Sequence, residues 1–286
     1  MLISIVIPLY NKEKFIKNTI NSVLRQSYKD FELVIVDDGS TDDSVNIVKS
    51  ISDSRIRIIS KQNEGVSKTR NRGIIEAKGE YIFFLDADDY LVPEALNILY
   101  DLMKCYPQKD IYVASYIEKN DMGIIHKKNI CKISGNVSNP LKSLWKREIS
   151  SRVGCSLIQK NHISINGGFR TDISLYEDFD FIVKMEEHAS LACSKEVILE
   201  YRRGHEGLSF KKVPIERELV GSLILKNYKG YRKRIMADYL FRRFLKYLLL
   251  LDINSALKIL KNNGSYIIYA MIMFLWRGIQ THRFLE

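Results

Sequence analysis

Residues 79–93 read GEYIFFLDADDYLVP, and this stretch decides the fold. Tyr81 to Leu85 is an unbroken apolar run rich in aromatic and branched residues, the composition of a strand buried on both faces. Asp86, Asp88 and Asp89 follow within four positions, where that strand must end. Carboxylates crowded this closely repel one another. A hard divalent cation such as Mg²⁺ or Mn²⁺ relieves the repulsion by taking oxygen ligands, so an Asp-x-Asp at a strand end is a candidate metal site. A solvated turn capping the next helix is the other reading, since Asp favours turns and N-caps.

Outward from this strand the pattern repeats. The chain opens with a strand at Ile3 to Ile7, then Pro8, Tyr10 and Asn11, then a helix carrying Ile16, Ile20, Val23 and Leu24 at helical spacing. Phe31 to Val36 forms a second buried strand that runs into Asp37, Asp38 and Gly39. A helix over Asp43 to Ser52, a strand over Arg55 to Ser60 and a helix from Asn63 to Ala77 return the chain to residues 79–93. Four strand–helix alternations without a hairpin signal predict a parallel, doubly wound α/β sheet with right-handed crossovers. Ligands of such sheets gather beyond the carboxyl ends of the strands, where Pro8 to Tyr10, Asp37–Asp38 and Asp86–Asp88 all fall. Neither a glycine-rich dinucleotide fingerprint nor a phosphate loop is present. A nucleotide held through aspartates and a metal bridging its diphosphate fits that edge. Tyr10 as a core aromatic and Asp37–Asp38 as turn formers are the structural alternatives.

The 286 residues suffice for one large α/β domain or one domain with an extension, and the apolar and charged content is that of a folded chain. Cys105, Cys131, Cys155 and Cys193 show no paired ligand spacing, which predicts reduced, structural thiols in a cytosolic setting. The first residues, MLISIVIPLYN, are too short an apolar run, without a basic start, for a signal peptide. The net charge of +10 is carried by the tail: residues 201–286 hold 17 Lys or Arg against 6 Asp or Glu.

The stretches IVIPLYNKEKFIKNTINSVLRQSYKDFELVIVDDGSTDDS, NEGVSKTRNRGI and GEYIFFLDADD, in this order, resemble the amino-terminal half of family 2 glycosyltransferases. The resemblance covers about residues 1 to 210. It implies the GT-A fold, a Rossmann-like doubly wound mixed sheet, and inverting transfer of a sugar from a nucleotide-sugar donor, by family habit a UDP-sugar, to an acceptor hydroxyl. It implies that Pro8 and Tyr10 line the base pocket and that Asp38, with Asp37 beside it, reads the base edge. Arg70 would lie near the donor, Asp86 would contact the nucleotide sugar and Asp88 the metal, Mn²⁺ or Mg²⁺. Arg70 and Arg72 both sit on a helix, where surface charge is the ordinary explanation, and one of the two is expected to be no more than that.

Further along, Glu94 to Cys105 and Ile111 to Tyr116 read as scaffold helix and strand, and residues 118–132 as a hairpin or loop over the site, turning at Asn120 to Gly123. Acceptor specificity is placed there and in residues 139–152. Leu141, Leu144 and Trp145 make a helical stripe in that segment, with Trp145 read as core in preference to a sugar platform. In GGFRTDISLYEDFDFIVKM, residues 167–185, the two glycines permit close backbone approach and Glu177–Asp178 opens a helix. The resemblance makes Asp178 the catalytic base and Glu177 its support, leaving Asp180 as a plain helix-start acid. After a strand over Leu191 to Leu199, the resemblance makes His205, in YRRGHEGLS, a metal ligand or diphosphate contact, with Arg202 or Arg203 as alternatives at the phosphates.

From Pro214 the character changes. Residues 216–229 read as a helix, residues 231–251 mix basic residues with Phe, Tyr and Leu, and the apolar run from Tyr266 to Trp276 is too short to cross a bilayer. The domain reading is a catalytic unit over 1–210, with nucleotide-sugar binding in 1–116 and the acceptor side in 117–210, followed by a basic helical extension over 211–286. That extension would lie on an anionic membrane surface, as a lipid-linked saccharide acceptor would require, or pack on the catalytic core or on a second copy as a homodimer. The enzyme would then be cytoplasmic, peripheral at the inner face of the cytoplasmic membrane. No nucleic-acid motif is present, so nucleic acid is not expected as a partner. A sugar nucleotidyltransferase lacks support, because no glycine-rich basic loop follows the first strand. A non-catalytic nucleotide or glycan module is disfavoured by Asp86, Asp88 and Asp178 occurring together. No Gln-x-x-Arg-Trp motif and no set of membrane spans appears, which favours single-sugar transfer, of the kind used in surface-polysaccharide or lipopolysaccharide assembly, over processive synthesis.

Overall fold

The computed structural model describes residues 2–120, 122–203 and 213–281. In chain order the strands and helices are β1 (Ile3–Leu9), α1 (Ile16–Leu24), β2 (Phe31–Asp37), α2 (Ser44–Lys49), β3 (Ile56–Ser60), α3 (Val66–Glu76), β4 (Tyr81–Phe84) and β5 (Tyr90–Leu91). They continue with α4 (Ala95–Cys105), β6 (Ile111–Lys119), β7 (Ile125–Asn129), β8 (Gly135–Val137), α5 (Pro140–Trp145), β9 (Ser156–Gln159), α6 (Lys160–Asn166), α7 (Glu177–Glu186) and β10 (Leu191–Arg202). The last helices are α8 (Leu219–Ser222), α9 (Gly230–Leu249), α10 (Ile253–Asn263) and α11 (Ile267–Thr281).

The strands form one mixed sheet in the order β3-β2-β1-β4-β9-β6-β10-β5. The four strands of the first half are parallel, as their alternation with helices predicts: Ile3 pairs with Phe31 on one side and Tyr81 on the other. β9 enters antiparallel between β4 and β6, and β6 and β10 run parallel to each other. β1, β2 and β4 are buried along nearly their whole length because helices cover both faces, and this is why they read as continuous apolar runs. Helix α3 lies so close on the sheet that a Cβ on Gly73 would meet Val6 Cγ1 at 2.2 Å. The hairpin between β6 and β7 forms as expected, with Asn120 Oδ1 accepting from the amides of Met122 and Ile124.

Two apolar clusters organise the interior. The first lies on both faces of the sheet. The second joins Leu141, Trp145 and Val183 of α5 and α7 to Leu219, Met236 and Leu240 of the tail, so the C-terminal helices pack on the sheet-bearing part. Trp145 is 1% exposed and stacks on Trp276 at 5.9 Å, the core role expected of it. The expectation of a single helix over residues 216–229 is corrected. The segment is broken into a 3-10 turn at Ile215–Arg217, the four-residue α8 and a second turn at Leu225–Asn227. Its backbone is satisfied from outside: Asn263 accepts from the Leu225 amide at 2.8 Å and donates to the Leu223 carbonyl at 2.7 Å.

Candidate active site

The carboxyl ends of β1, β2 and β4 and the start of α7 meet at one edge of the sheet. The loops after β1 and β2 are latched together. Asn11, in the left-handed region at φ 50°, accepts from the Thr41 amide at 2.8 Å, and its own amide donates to Ser40 Oγ at 3.1 Å. Tyr10, beside Pro8 at the end of β1, is 44% exposed and faces solvent, which excludes a core role. Asp37 is buried and accepts from the Ser40 amide at 3.0 Å. Asp38 is also buried. Its two oxygens accept from the amides of Glu64 and Gly65, each at 2.9 Å, and Lys61 closes the group with an ion pair. The carboxylate thus anchors the start of α3 to the end of β2.

At the end of β4, Asp86 and Asp88 keep solvent access, with side chains 40% and 27% exposed, while Asp89 is buried and accepts from the Arg202 amide at 2.9 Å. Burial raises the Asp86 carboxyl, but Arg70 overrides it, helped by Arg152 and Lys12, and holds the group below the ordinary carboxylate range. For Asp89, burial and the charges of Asp86 and Asp88 act together and push its proton affinity well up. Asp88 Oδ2 pairs with Lys12 Nζ at 2.5 Å.

Arg70 joins the two halves of the site. It is 5% exposed, donates to Asp86 at 2.8 Å and to Glu177 at 3.0 Å, and sits over the Phe169 ring at 5.2 Å. Arg72, two positions on, pairs on the surface with Glu76, so it is the surface residue of the pair. Burial, then the charge of Asp178, raise the Glu177 carboxyl against the pull of Arg70. Asp178 follows Glu177 in the first turn of α7, with Oδ1 accepting from the Phe179 amide at 2.8 Å. Asp180 lies in the first turn of α7, as expected of a helix-start acid, and is buried there as well. It is 3% exposed, and burial raises its carboxyl despite Arg170, Arg232 and Lys184 nearby. His205 lies outside the described residues.

The sequence reading missed four contributors. Lys12 and Lys61 hold Asp88 and Asp38. Asn71 clamps the loop before α7, accepting from the Phe169 amide and donating to its carbonyl, both at 2.8 Å; a Cβ on Gly168 would meet its Oδ1 at 2.3 Å. Arg152 stacks on Tyr201 at 3.9 Å and Tyr116 at 5.3 Å, and its charge acts on Asp86 and Asp89. Lys12, Lys61 and Asn71 lie in or beside the quoted motifs, whereas nothing in the pattern around Arg152 marks it.

Among the described residues, no three His, Cys, Asp or Glu side chains gather as a metal cage. Asp86 and Asp88 are carboxylates at this edge that keep solvent access, the oxygen donors that a Mg²⁺- or Mn²⁺-type ion takes together with waters and substrate phosphate oxygens. A broad depression of about 530 Å³ lined by Glu80, Tyr100 and Gln159 lies at the opposite edge, by the start of β4, away from all these groups.

Residues 4–162, more than half of the chain, match the family described as Glycosyl transferase family 2. The chain belongs to this family. It is 31% identical to the chondroitin synthase of Escherichia coli over 229 residues, which cover 76% of this chain and 31% of that protein. It is 27% identical to the hyaluronan synthase of Pasteurella multocida, over 93% of this chain and 28% of that one. The chain therefore spans about a third of the length of these relatives. Among solved structures, S. aureus TarS 1–349 in complex with UDP-GlcNAc matches with a TM-score of 0.74 at 20% identity, covering 99% of this chain and 93% of that one. That likeness supports the GT-A fold, and its coverage includes the C-terminal helices.

Proposed function

We propose that this chain transfers a single sugar from a nucleoside-diphosphate sugar, a UDP-sugar, to a hydroxyl of a saccharide or lipid-linked glycan, with inversion at the anomeric carbon. One observation carries the reading: Arg70 holds the carboxylate at the end of β4 and the opening of α7 together at one exposed edge. On this reading the end of β4 is the donor side and the start of α7 the acceptor side, with Arg70 between them. The family, and relatives named for chondroitin and hyaluronan synthesis, support the activity, and the UDP-GlcNAc and UDP carried by TarS structures support the donor class.

Pro8 and Tyr10 would border the base, with Asp37 and Asp38 shaping the loop that receives it, and Asp86 would bind the donor sugar. Asp86 and Asp88 would hold a divalent cation, with His205 as a further ligand, and Lys12 would give up Asp88 to it. A cation held there would neutralise charge on the diphosphate leaving group, so that no general acid would be needed. Asp178 would accept the proton of the attacking hydroxyl, while Glu177, fixed by Arg70, keeps the start of α7 in place. We assign residues 1–210 to catalysis and 211–286 to an extension.

That extension exposes Leu249 at the end of α9, Leu250 and Leu251 between α9 and α10, and Ile268, Met271, Ile272 and Leu275 along α11. With its excess of basic residues, this surface suits an anionic bilayer, where a lipid-linked acceptor would be met. No helix among the described residues is long and apolar enough to cross a membrane. Flotation with anionic and neutral liposomes tests this part, and absence from both lipid fractions at low salt excludes it.

The donor site is tested by calorimetric titration of UDP, with GDP and dTDP as comparisons, in Mn²⁺ and in EDTA, on the wild type and on Asp88→Ala. UDP binding that needs both the metal and Asp88 is expected. Failure of every nucleotide to bind removes the basis of the transferase reading.

A further inference from the structure

The three residues before the Glu177–Asp178 pair are held by the C-terminal extension. Ser174 donates its amide to the Arg217 carbonyl at 2.7 Å, Leu219 donates to the Leu175 carbonyl at 3.2 Å, and Leu175 pairs with Glu218 in a short parallel bridge. Tyr176 takes the left-handed conformation at φ 66°, which costs a bulky residue conformational energy and persists only where surroundings enforce it.

The enforcement comes from α9. Arg243 donates to the Tyr176 hydroxyl at 3.3 Å and lies over the Tyr176 ring at 5.1 Å. Tyr239 meets the same ring edge-on at 5.2 Å. Arg243 is itself fixed by an ion pair to Glu218, a fully buried carboxylate whose other oxygen accepts from the Tyr247 hydroxyl. Tyr176 then accepts the first intrahelical bond of α7, from the Asp180 amide at 3.1 Å. The chain of contact runs from Glu218 through Arg243 and Tyr176 to the turn that presents Asp178.

We infer that Arg243, held by Glu218, is a positioning residue for Asp178 acting through Tyr176, so that the extension forms part of the catalytic apparatus. This rests on the reading of Asp178 as the base. A backbone turn that wanders by a fraction of an ångström misplaces the proton acceptor without disturbing the nucleotide end of the site, which is built from β1, β2 and β4.

Two variants separate positioning from folding. Arg243→Lys keeps a cation beside Glu218 but cannot span both Glu218 and the Tyr176 hydroxyl, and Tyr176→Phe removes that hydroxyl alone. Asp178→Asn is the benchmark. The probe is UDP release from UDP-GlcNAc in Mn²⁺ with water as acceptor: the water oxygen bonds to the anomeric carbon, the bond to UDP breaks and the water proton passes to Asp178. Each variant is expected to lower the maximal rate about 5- to 20-fold, with KM and UDP affinity within about two-fold of wild type, the pattern of an interaction felt in the transition state. Hydrogen exchange should accelerate in residues 174–180 and not elsewhere. The double variant should cost no more than the worse single one, because both act through one contact.

Rates within about two-fold of wild type in both variants, beside an Asp178→Asn that loses 100-fold or more as a lost base should, overturn the inference and leave the base assignment standing. Parallel loss of UDP affinity and melting temperature also overturns it, in favour of a purely structural role. Unchanged exchange over 174–180 does so whichever donor the protein prefers. Should Asp178→Asn keep the wild-type rate, the base assignment falls and the inference falls with it.

Discussion

Arg70 and Glu177, 107 positions apart in the chain, meet at 3.0 Å inside the protein, and Arg70 reaches Asp86 with its other terminal nitrogen. A guanidinium suits this task because its planar fork serves two carboxylates at once and stays charged when buried. Replacing Arg70 by Met leaves one buried and one half-exposed carboxylate without a counter-charge. Loss of one partner from a buried ion pair costs about 3–5 kcal/mol, so Arg70→Met should lower the denaturant midpoint steeply and Arg70→Lys less. Wild-type stability in Arg70→Met, measured by urea unfolding, would show that the bridge contributes nothing.

Asp178 and the donor carboxylates lie on different elements, which predicts that binding and chemistry separate. Asp178→Asn should reduce turnover by about 10²- to 10⁴-fold, the usual contribution of a positioned base. Calorimetry should find its UDP affinity in Mn²⁺ unchanged, whereas Asp88→Asn should weaken UDP and abolish its dependence on metal. A loss of UDP affinity in Asp178→Asn would place that carboxylate on the donor instead.

The sequence exposed the parts of this site that are built from consecutive residues. β1, β2 and β4 announce themselves because burial on both faces demands unbroken apolar runs, and the aspartates stand out because they stand where the runs of β2 and β4 stop. What stayed hidden depends on partners distant in the chain. Arg70 and Arg72 are indistinguishable on paper, and only the placement of α3 sends one inward and the other to the surface. Insertion of β9 antiparallel between β4 and β6 has no local signal, since four residues fit either direction equally well. Asp180 is the helix-start acid its position suggests, but its burial has no local signal. The segment after Pro214 looks helical by composition, yet Asn263 and Glu218 supply partners that fix it as a chain of turns.

Glu186, at the far end of α7, gives a pH dependence of known sign. It is fully buried, and burial pushes its carboxyl up to about 7 against a lowering contribution from the Ser151 hydroxyl. A carboxyl whose folded proton affinity exceeds its unfolded one destabilises the fold as pH rises from the ordinary glutamate range through 7, with the full cost reached above that. The effect amounts to about 3 kcal/mol. The wild type should therefore be less stable at pH 8 than at pH 5.5 by more than Glu186→Gln is, in urea titrations of both. Equal pH dependence in the two proteins would show that Glu186 keeps its ordinary affinity.

The closeness of α3 to β1 is what brings Arg70 and Asn71 within reach of their partners, and it depends on Gly73 lacking a side chain. A methyl there would meet Val6 Cγ1 at 2.2 Å, well inside contact distance, on a strand locked between β2 and β4. Neither element can retreat cheaply, so Gly73→Ala should cost about 1–3 kcal/mol, the usual penalty of an overpacked core, despite alanine's better helix propensity. Val6→Ala opens a small cavity and is destabilising alone, but in the double variant each change relieves the other. Urea unfolding of the four proteins should give a coupling of about 1 kcal/mol or more in the rescuing direction. Strictly additive effects would mean that α3 shifts outward to admit the methyl. In that case the Arg70 bridge to Asp86 should lengthen, and UDP affinity should fall in Gly73→Ala alone.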